Sequence, residues 1–424
     1  MDLGNKPEVR NNSNSVSTWA QSKLGEVAYY INDKVNVKEI SFQGYVSTEN
    51  MLINKEGVVK ALKMPETGKI TKYSRGDILL SNIGPYLKKI WLAKHGGGCS
   101  NDVLVIRARK GIDSNFLYYC LTQDKFFDYI VAGSNYTTIP RGNKKAILEF
   151  SIPTPNFQMQ IEIGKILATF DSKIENNRRI NTILEQIAQT LFKRWFIDFE
   201  FPDENGQPYK SSGGEIVDSE LGEIPKNWGI SIFSQAIEVN PERKISKGKI
   251  AKKISMSDLD PWQSWIKKWN YESYTSGSKF KNGDTLFARI TPSLEHGKTA
   301  MVHILDEDEI GYGSTEFIVF GRKEIKSDVY IFNLCRSDYI RTAAIGSMTG
   351  TSGRQRVPNY LFDQLLIVVP PEELINLFDR IVLQLFRRVF VNASEVHYLI
   401  QIKDSLLPKL ISGKIRIPVR DANE

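Results

Sequence analysis

The sequence is poor in the features that build disulfide frameworks, zinc sites and membrane spans. Its 424 residues include three cysteines, Cys99, Cys120 and Cys335, and no Cys-x-x-Cys pair. This odd number of widely spaced cysteines argues against a disulfide framework or a zinc site and fits a reducing cytoplasm. No run approaches the ~18 consecutive apolar residues of a membrane span. Residues 1–18 lack the apolar core of a signal peptide, so we interpret them as a flexible arm.

The motifs of common enzymes are also missing. Gly297-Lys298-Thr299 resembles the end of a phosphate-binding loop, but Pro292 stands where the first glycine of that motif belongs. The four histidines have no metal-ligand spacing. There is no Asn/Asp-Pro-Pro-aromatic motif of an adenine methyltransferase and no Gly-x-Gly-x-x-Gly motif. We therefore predict a non-catalytic binding protein with no metal or cofactor site of its own.

What the sequence does contain is a long internal repeat. Trp19 is followed by Trp228, 209 residues later, and residues 76–87 return as residues 283–294 at an offset of 207. Solenoid repeats are ~20–50 residues long, so this repeat is too long to be one of them. It indicates two whole domains of one design.

Each copy contains the elements of a mixed α+β domain. A Gly-Asp turn leads into an apolar strand, and a second strand is predicted at 103–107 and at 317–320. One short helix is predicted over residues 115–131 and over 329–345, each ending at a Gly-Ser pair. The predicted fold class is therefore α+β, with two similar mixed α/β domains.

A long helix with a heptad seam follows each domain. Over residues 163–195, seam positions recur at steps of four and three, which is the period of a coiled coil. Adding 215 gives a second seam over residues 378–410. The two helices are expected to pack on each other, and the first, ~60 Å long, would separate the domains. Asn177 and Asn392 share one seam position, where they either fix the register or lie at a solvated edge.

These patterns predict seven segments. They are an arm (1–18), a first domain (19–155), a central helix (156–200), a linker (201–223), a second domain (224–370), a C-terminal helix (371–411) and a tail (412–424). The linker is rich in Gly, Ser and Asp, as connecting segments are. We expect the second helix to end at Pro408.

The net charge of +7 is evidence for nucleic-acid binding only where cationic and polar side chains cluster. A loop rich in hydroxyl and cationic groups follows the short helix of each copy, over residues 133–145 and 346–356. Arg reads guanine in the major groove, Asn or Gln reads adenine, and Ser or Thr reads either, while Lys holds phosphates. The alternative is an ordinary polar surface loop. The two loops differ in sequence, whereas the pattern of strands and helices around them repeats. The two domains would therefore read two different half-sequences.

The candidate DNA-binding residues lie in these loops, in the Gly-Asp hairpins and in a lysine-rich segment of the second copy. They are Ser81, Asn82, Lys88, Lys89, Asn135, Tyr136, Thr137, Thr138, Arg141, Lys144 and Lys145 in the first copy, and Lys252, Lys253, Arg289, His296, Lys298, Thr349, Thr351, Ser352, Arg354, Gln355 and Arg356 in the second. Trp262, Trp265 and Trp269 form either part of the core, which is favoured, or a stacking surface.

Several short segments carry a resemblance that covers about residues 19–415. They are residues 76–80 and 283–287, the strand-proline-helix junction 151–155, and residues 191–196, 217–225 and 406–414. In order and spacing, these segments closely resemble the specificity (S) subunit of a type I restriction–modification system. The family's glutamine at the helix entry is present after Pro155 and absent after Pro371.

The resemblance implies two target-recognition domains separated by two long helices that form an antiparallel coiled coil, with pseudo-twofold symmetry. It implies a bipartite, asymmetric double-stranded DNA site. It also implies two methyltransferase (M) subunits and restriction (R) subunits as partners, no membrane association, and the cytoplasm of a bacterium or archaeon. The partners would use S-adenosylmethionine, ATP and Mg²⁺, and the target adenine would flip into the M subunit. Outward helix residues Lys173, Arg178, Arg179 and Lys193 are candidate M-subunit contacts, or else ordinary solvated charges.

Other functions remain open from the sequence alone. A non-catalytic coiled-coil scaffold with two protein-binding domains predicts no salt-dependent affinity for DNA, whereas a DNA reader predicts a steep salt dependence. A stand-alone DNA-binding protein would bind tightly without M subunits. A fused methyltransferase–nuclease would need the missing motifs.

Overall fold

A computed structural model describes residues 19–134, 140–351 and 353–418, and the chain divides into two compact units. Unit 1 comprises Met1–Ser172 with Ile400–Glu424, and unit 2 comprises Lys173–Leu399. Each unit therefore combines one α+β domain with part of both long helices.

The strands of unit 1 are short. They are β1 (Gln21–Lys23), β2 (Ala28–Tyr30), β3 (Lys34–Asn36), β4 (Tyr45–Val46), β5 (Lys69–Tyr73), β6 (Ile78–Ser81), β7 (Ile90–Leu92), β8 (Gly97–Cys99), β9 (Val103–Ala108) and β10 (Ser151–Pro153). Its helices are α1 (Leu24–Val27), α2 (Ser114–Leu121), α3 (Asp124–Ala132), α4 (Lys144–Leu148) and the first part of α5 (Phe157–Phe192).

Two four-stranded sheets form the domain of unit 1. One is antiparallel with the order β2-β9-β6-β7, and the other has the order β3-β5-β8-β4 with β4 parallel to β8. Strand β6 is buried on both faces, because Ile78 and Leu80 face the helices while Leu79 faces a second core with Val105. The strands predicted after the Gly-Asp turn and at 103–107 are confirmed.

Unit 2 repeats these elements. Its strands are β11 (Ile216–Ser219), β12 (Gly222–Pro225), β13 (Gly229–Ile232), β14 (Ile237–Val239), β15 (Ile250–Ile254), β16 (Asn270–Ser273), β17 (Ser278–Phe280), β18 (Thr285–Ala288), β19 (Thr299–Met301), β20 (Gly311–Gly313), β21 (Phe317–Arg322) and β22 (Leu366–Val369). Its helices are the rest of α5 with a π-helical turn (Lys193–Ile197), α6 (Phe233–Ala236), α7 (Asp328–Arg336), α8 (Asp338–Gly346) and most of α9 (Glu372–Ile411).

The sheets of unit 2 have the orders β14-β21-β18-β19 and β16-β15-β20-β17. The first repeats the antiparallel sheet of unit 1 strand for strand. Strands β13 and β22 pair as β1 and β10 do. The predicted linker is partly ordered, because β11 and β12 form a hairpin within and just after it.

The single short helix predicted in each domain is wrong. Unit 1 has α2 and α3, separated at Gln123, whose backbone is extended (φ −69°, ψ 144°). Unit 2 has α7 and α8, separated at Ser337, which is extended (φ −62°, ψ 151°) and whose side chain caps the next helix at the Ile340 N–H. A serine that caps the next helix can thus separate two helices without the glycine or proline that usually marks a helix end in the sequence.

The long helices pack antiparallel within each unit, as predicted. In unit 1, Lys403 Nζ on α9 lies 2.6 Å from Asp171 Oδ1 on α5. In unit 2, Asn177 Nδ2 donates to Glu395 Oε2 (2.8 Å), and the rings of Phe192 and Phe378 are 6.0 Å apart. Residue numbers therefore rise along α5 as they fall along α9, which is the register of antiparallel helices.

The seam asparagines are buried in unit 2. Asn177 and Asn392 are both 0% exposed, so a solvated edge is wrong for either. Asn392 Nδ2 donates to Asn181 Oδ1 (2.9 Å), and Asn181 Nδ2 donates to the Val389 carbonyl (3.0 Å). The polar seam positions thus form a hydrogen-bonded cluster between the helices.

Helix α9 does not end at Pro408 but continues to Ile411. The last turn remains helical because Leu410 and Ile411 are buried in the core of unit 1. Gly413 then has a left-handed backbone (φ +76°), and a side chain there would start 2.6 Å from the ring of Trp19. Glycine therefore meets both requirements at this helix end.

Candidate nucleic-acid interface

In unit 1, the hairpin turn after β6 is joined to the loop before α4. A β-bridge connects Ile83 to Arg141. The Gly84 N–H donates to the Pro140 carbonyl (3.0 Å), and the Gly142 N–H donates to the backbone carbonyl preceding Ile83 (3.1 Å). Two candidate segments that the sequence placed about 60 residues apart therefore form one surface.

The same join occurs in unit 2. A β-bridge connects Ile290 to Arg356, and the Thr291 N–H donates to the Gln355 carbonyl (3.1 Å). The partners lie at offsets of 207 and 215 from their unit 1 counterparts, the offsets of the sequence repeat. We call these surfaces the paired loops: residues 82–89 with 140–145 in unit 1, and 289–298 with 346–351 and 353–357 in unit 2.

Each set of paired loops contains an arginine beside a carboxylate. Arg141 Nη1 lies 3.2 Å from Asp102 Oδ1. Arg356 binds Glu316 through Nε and Nη2, at 2.9 and 2.6 Å. Hydrogen bonding to Glu316 raises the pKa of Arg356. The acid directly precedes β9 in unit 1 and β21 in unit 2, so the two pairs occupy equivalent places in the fold.

Other predicted residues in the paired loops are open to solvent. The side chain of Asn143 accepts hydrogen bonds from the N–H groups of Lys145 and Ala146, which begins α4 with two exposed lysines. The exposed residues are Lys144, Lys145, His296, Thr349, Thr351 and Arg354, and Gln355 is half-buried. These side chains are available to a polyanion.

Three predicted residues are buried. Ser81 is 3% exposed and donates to the Ile83 carbonyl, and Asn82 is 8% exposed. Lys252 is 5% exposed and binds Glu309 (2.9 Å) and Asp306 (3.1 Å). Burial acts to lower the pKa of Lys252, but the hydrogen bonds to these carboxylates outweigh it and raise the pKa. Burial, together with the internal partners of Ser81 and Lys252, argues against direct DNA binding by the three residues.

Five further cations are engaged inside their own unit. Three donate to backbone carbonyls: Lys89 Nζ to Thr48 (2.6 Å), Lys298 Nζ to Met256 (2.8 Å) and Arg289 Nη2 to Val357 (2.6 Å). Burial lowers the pKa of all three. Lys88 and Lys253 pair with Asp124 (2.8 Å) and Glu272 (2.7 Å). The predicted residues Asn135, Tyr136, Thr137, Thr138 and Ser352 lie outside the described residues.

The three tryptophans of unit 2 have different surroundings. Trp265 is 5% exposed and packs in a small core with Val389 on α9, and Trp269 stacks on His397 with ring centroids 4.0 Å apart. Trp262 is 52% exposed. The prediction of a core role is confirmed for Trp265 and is wrong for Trp262.

Two of the four outward helix cations have partners. Lys173 Nζ lies 3.2 Å from Glu395 Oε1, and Lys193 Nζ lies 2.7 Å from Asp198 Oδ1. Arg179 is exposed and Arg178 is half-buried.

Among the residues that the structure describes, no cluster of His, Cys, Asp or Glu could hold a metal ion. Within the same residues, no helix is long and apolar enough to span a membrane.

Comparison with known proteins agrees with this architecture. Residues 16–186 match the model of the type I restriction modification DNA specificity domain. The type I restriction enzyme MjaIX specificity subunit of Methanocaldococcus jannaschii is 26% identical over 360 residues, which cover 81% of this chain and 79% of that protein. The HindI specificity subunit of Haemophilus influenzae is 22% identical, covering 94% and 100%. The chain is therefore similar to type I restriction–modification specificity subunits over most of its length.

A solved structure supports the fold of this chain. The crystal structure of the S subunit from M. genitalium matches with a TM-score of 0.55 and 16% identity, covering 95% of this chain and 98% of that one. The predicted fold class is confirmed, and the similarity agrees with the predicted family.

Proposed function

We propose that this chain is a type I restriction–modification specificity subunit that recognises a bipartite, asymmetric double-stranded DNA site, with the paired loops of each domain reading one half. The observation that carries the proposal is the repeated join of the two loops, Ile83 to Arg141 and Ile290 to Arg356. The same frame presents Lys144 and Lys145 in one unit and hydroxyl groups with Arg354 in the other. A shared frame with different side chains suits two different half-sequences.

The exposed side chains divide by chemistry. Lys144, Lys145 and His296 are suited to phosphates, which set the position of a protein on DNA. Arg354 and the threonines of the unit 2 loop are suited to base edges, since Arg and Thr donors match acceptors in the major groove. The buried Ser81, Asn82 and Lys252 have structural roles in this proposal.

The remaining functions fall to partner subunits. Two M subunits dock on the helices and domains, and R subunits join through them. The M subunits use S-adenosylmethionine to methylate a flipped adenine, and the R subunits use ATP and Mg²⁺ for cleavage. Exposed Arg179 is a candidate M-subunit contact, and the complex works in the cytoplasm of a bacterium or archaeon.

A domain exchange tests the proposal. Residues 19–150 are replaced by the same segment of another specificity subunit, and the methylated sequences in cells that carry the full system are determined by methylome sequencing. One half of the methylated site should change, while the other half and the gap persist. The reciprocal exchange of residues 228–366 is the matched control and should change the other half. An unchanged pattern in both experiments would refute the proposal.

Salt dependence separates DNA recognition from a protein scaffold. A reader that contacts phosphates releases counterions, so its DNA affinity should fall steeply between 50 and 200 mM salt, by about 10³-fold for ~6 contacts. Fluorescence anisotropy with labelled duplex DNA, in the presence and absence of M subunits, measures this change. A scaffold would show no such affinity, and a stand-alone DNA-binding protein would bind as tightly without M subunits.

A further inference from the structure

The two arginine–carboxylate pairs are equivalent although their sequences share no local motif. Arg141 and Arg356 occupy the bridge position of their loops, 215 residues apart. Asp102 and Glu316 are the residues immediately before β9 and β21. Equivalent places in two domains thus have the same charge pattern, with an aspartate in one and a glutamate in the other.

The ion pairs are not needed to hold the loops. Backbone hydrogen bonds already join the loops on both sides of each arginine, as at Gly84 with Pro140 and at Val357 with Arg289. The Arg141 and Arg356 side chains are 59% and 45% exposed, and exposed ion pairs contribute little to stability. Their recurrence therefore points to a role at the surface.

The guanidinium geometry indicates that role. Arg356 binds Glu316 through its Nε and Nη2 atoms, whereas Arg141 approaches Asp102 through Nη1. A guanidinium has five N–H donors in a fixed planar fork, so a carboxylate on one edge orients the plane and leaves donors on another edge. Two parallel donors of this kind match the O6 and N7 acceptors of guanine.

We infer that Arg141 and Arg356 are equivalent specificity-determining residues, each reading a guanine in its own half-site, with Asp102 and Glu316 as positioning residues that orient the guanidinium. The inference rests on the proposed function. Arg356 is held through Nε and Nη2, with a 3.4 Å contact from Nη1 to the Arg354 carbonyl, whereas Arg141 is held through Nη1 alone. The two guanidinium groups therefore leave different donors for a base. The same residue type can therefore approach the base pair differently in the two domains.

Conservative variants test the inference in the complex with the M subunits. Arg356→Lys and Arg141→Lys retain the charge but lose the fork, so each should relax the preference for one G·C pair in one half-site, on the order of 10-fold. The methylated sequences, determined by methylome sequencing, show which base pair relaxes. Arg322→Lys is the matched control, because Arg322 is also an exposed arginine that pairs with a carboxylate, Asp328, but lies outside the paired loops. It should leave every base preference unchanged.

The positioning role has its own readout. Glu316→Gln and Asp102→Asn should relax the same base pair as the corresponding arginine variant, while the urea midpoint for unfolding stays unchanged. A uniform loss of methylation at every site would assign the arginines to phosphates and overturn the inference, as would fully retained base preferences. A wild-type half-site without guanine would overturn it for that domain. If the wild-type complex showed no bipartite site at all, the proposed function itself would fail.

Discussion

The two domains agree in one sheet and differ in the other. The sheets β2-β9-β6-β7 and β14-β21-β18-β19 have the same order, and each presents the paired loops beside its second and third strands. The second sheets share a three-stranded core, β4-β8-β5 and β15-β20-β17, with one parallel pair in each. The additional strand lies on opposite edges, beside β5 in unit 1 and beside β15 in unit 2. The part of the fold that positions the paired loops is thus the part that is repeated.

The domains also contact the long helices differently. In unit 1, Asp171 on α5 accepts from the Tyr119 hydroxyl (2.7 Å) and pairs with Lys403. In unit 2, a loop over residues 255–269 reaches α5 and α9, where Trp265 packs on the seam and the Ser264 N–H donates to Glu185. The contacts with the long helices thus use a partly exposed acid in unit 1, and an apolar side chain with a buried acid in unit 2.

The largest expected effect is at Trp265. Trp265→Ala should lower the free energy of unfolding by about 3–5 kcal/mol, because it leaves a cavity against Val389 and Ala393. Trp262→Ala is the matched control in the same loop. Trp262 is half-exposed beneath the Arg341 guanidinium, so its loss should lower the free energy of unfolding by about 1 kcal/mol. Urea unfolding measures both free energies. Equal losses for the two variants would contradict the conclusion that Trp265 stabilises the packing of this loop on α9.

Features of the fold and of the candidate site could be predicted from the sequence where they depend on residues close together in the chain, and not where they depend on residues far apart. The strand after each Gly-Asp turn and the helical seams were predictable, because alternation and heptads are local patterns. The joined loops were not, since they depend on how β6 and β9 place distant turns. Asp102 and Glu316 lie about 40 residues from their arginines and in no motif, so no local signal marked them.

Buried candidates were the other failure of sequence reasoning. Ser81 ends β6 and Asn82 follows it, and both resemble loop residues in the sequence, but the neighbouring strand and the joined loop cover them. Lys252 belongs to a lysine-rich segment, yet β15 pairs on both sides and turns it toward Asp306 and Glu309. Charge density along the sequence does not reveal which side of a strand faces solvent.

The buried Glu185 of unit 2 should matter more for stability than the partly exposed Asp171 of unit 1. Glu185 lies 3.7 Å from Arg336, and both side chains are 5% exposed. At pH 8, Glu185→Ala should lower the free energy of unfolding by about 3 kcal/mol, because it leaves Arg336 buried without its partner charge. Asp171→Ala should lower it by about 1 kcal/mol, since that side chain is 37% exposed. Chemical denaturation tests the order, and a larger loss at Asp171 would reverse the comparison.

The same acid should give unit 2 a pH dependence. Burial raises the pKa of Glu185 to about 7, above the ordinary value of 4.5, despite the nearby charge of Arg336 and the hydrogen bond from Ser264. The folded state therefore binds this proton more tightly than the unfolded state. The resulting stability is fully present below pH 4.5 and is lost as the pH rises through about 7.

Glu185→Gln isolates this titration. The difference in free energy of unfolding between wild type and Glu185→Gln should shift against the wild type by roughly 2 kcal/mol from pH 4.5 to pH 8. Urea unfolding at a series of pH values measures it, with Asp171→Asn as the control in unit 1. A difference that does not vary with pH would show that Glu185 titrates in the same range in the folded and unfolded states.

The smallest effect concerns the polar cluster between the helices of unit 2. Asn392→Ala should lower the free energy of unfolding by about 1–2 kcal/mol, because Asn181 Oδ1 loses its donor in a buried place. Val391→Ala, at a neighbouring exposed position, should change it by less than ~0.5 kcal/mol.

The double variant Asn181→Leu/Asn392→Leu removes both partners and should be nearly neutral or stabilising, since no group of the pair is left unsatisfied. A stable double variant that no longer supports methylation would mean that the asparagines fix the register of the helices. A double loss as large as the two single losses together would mean that they act through stability alone.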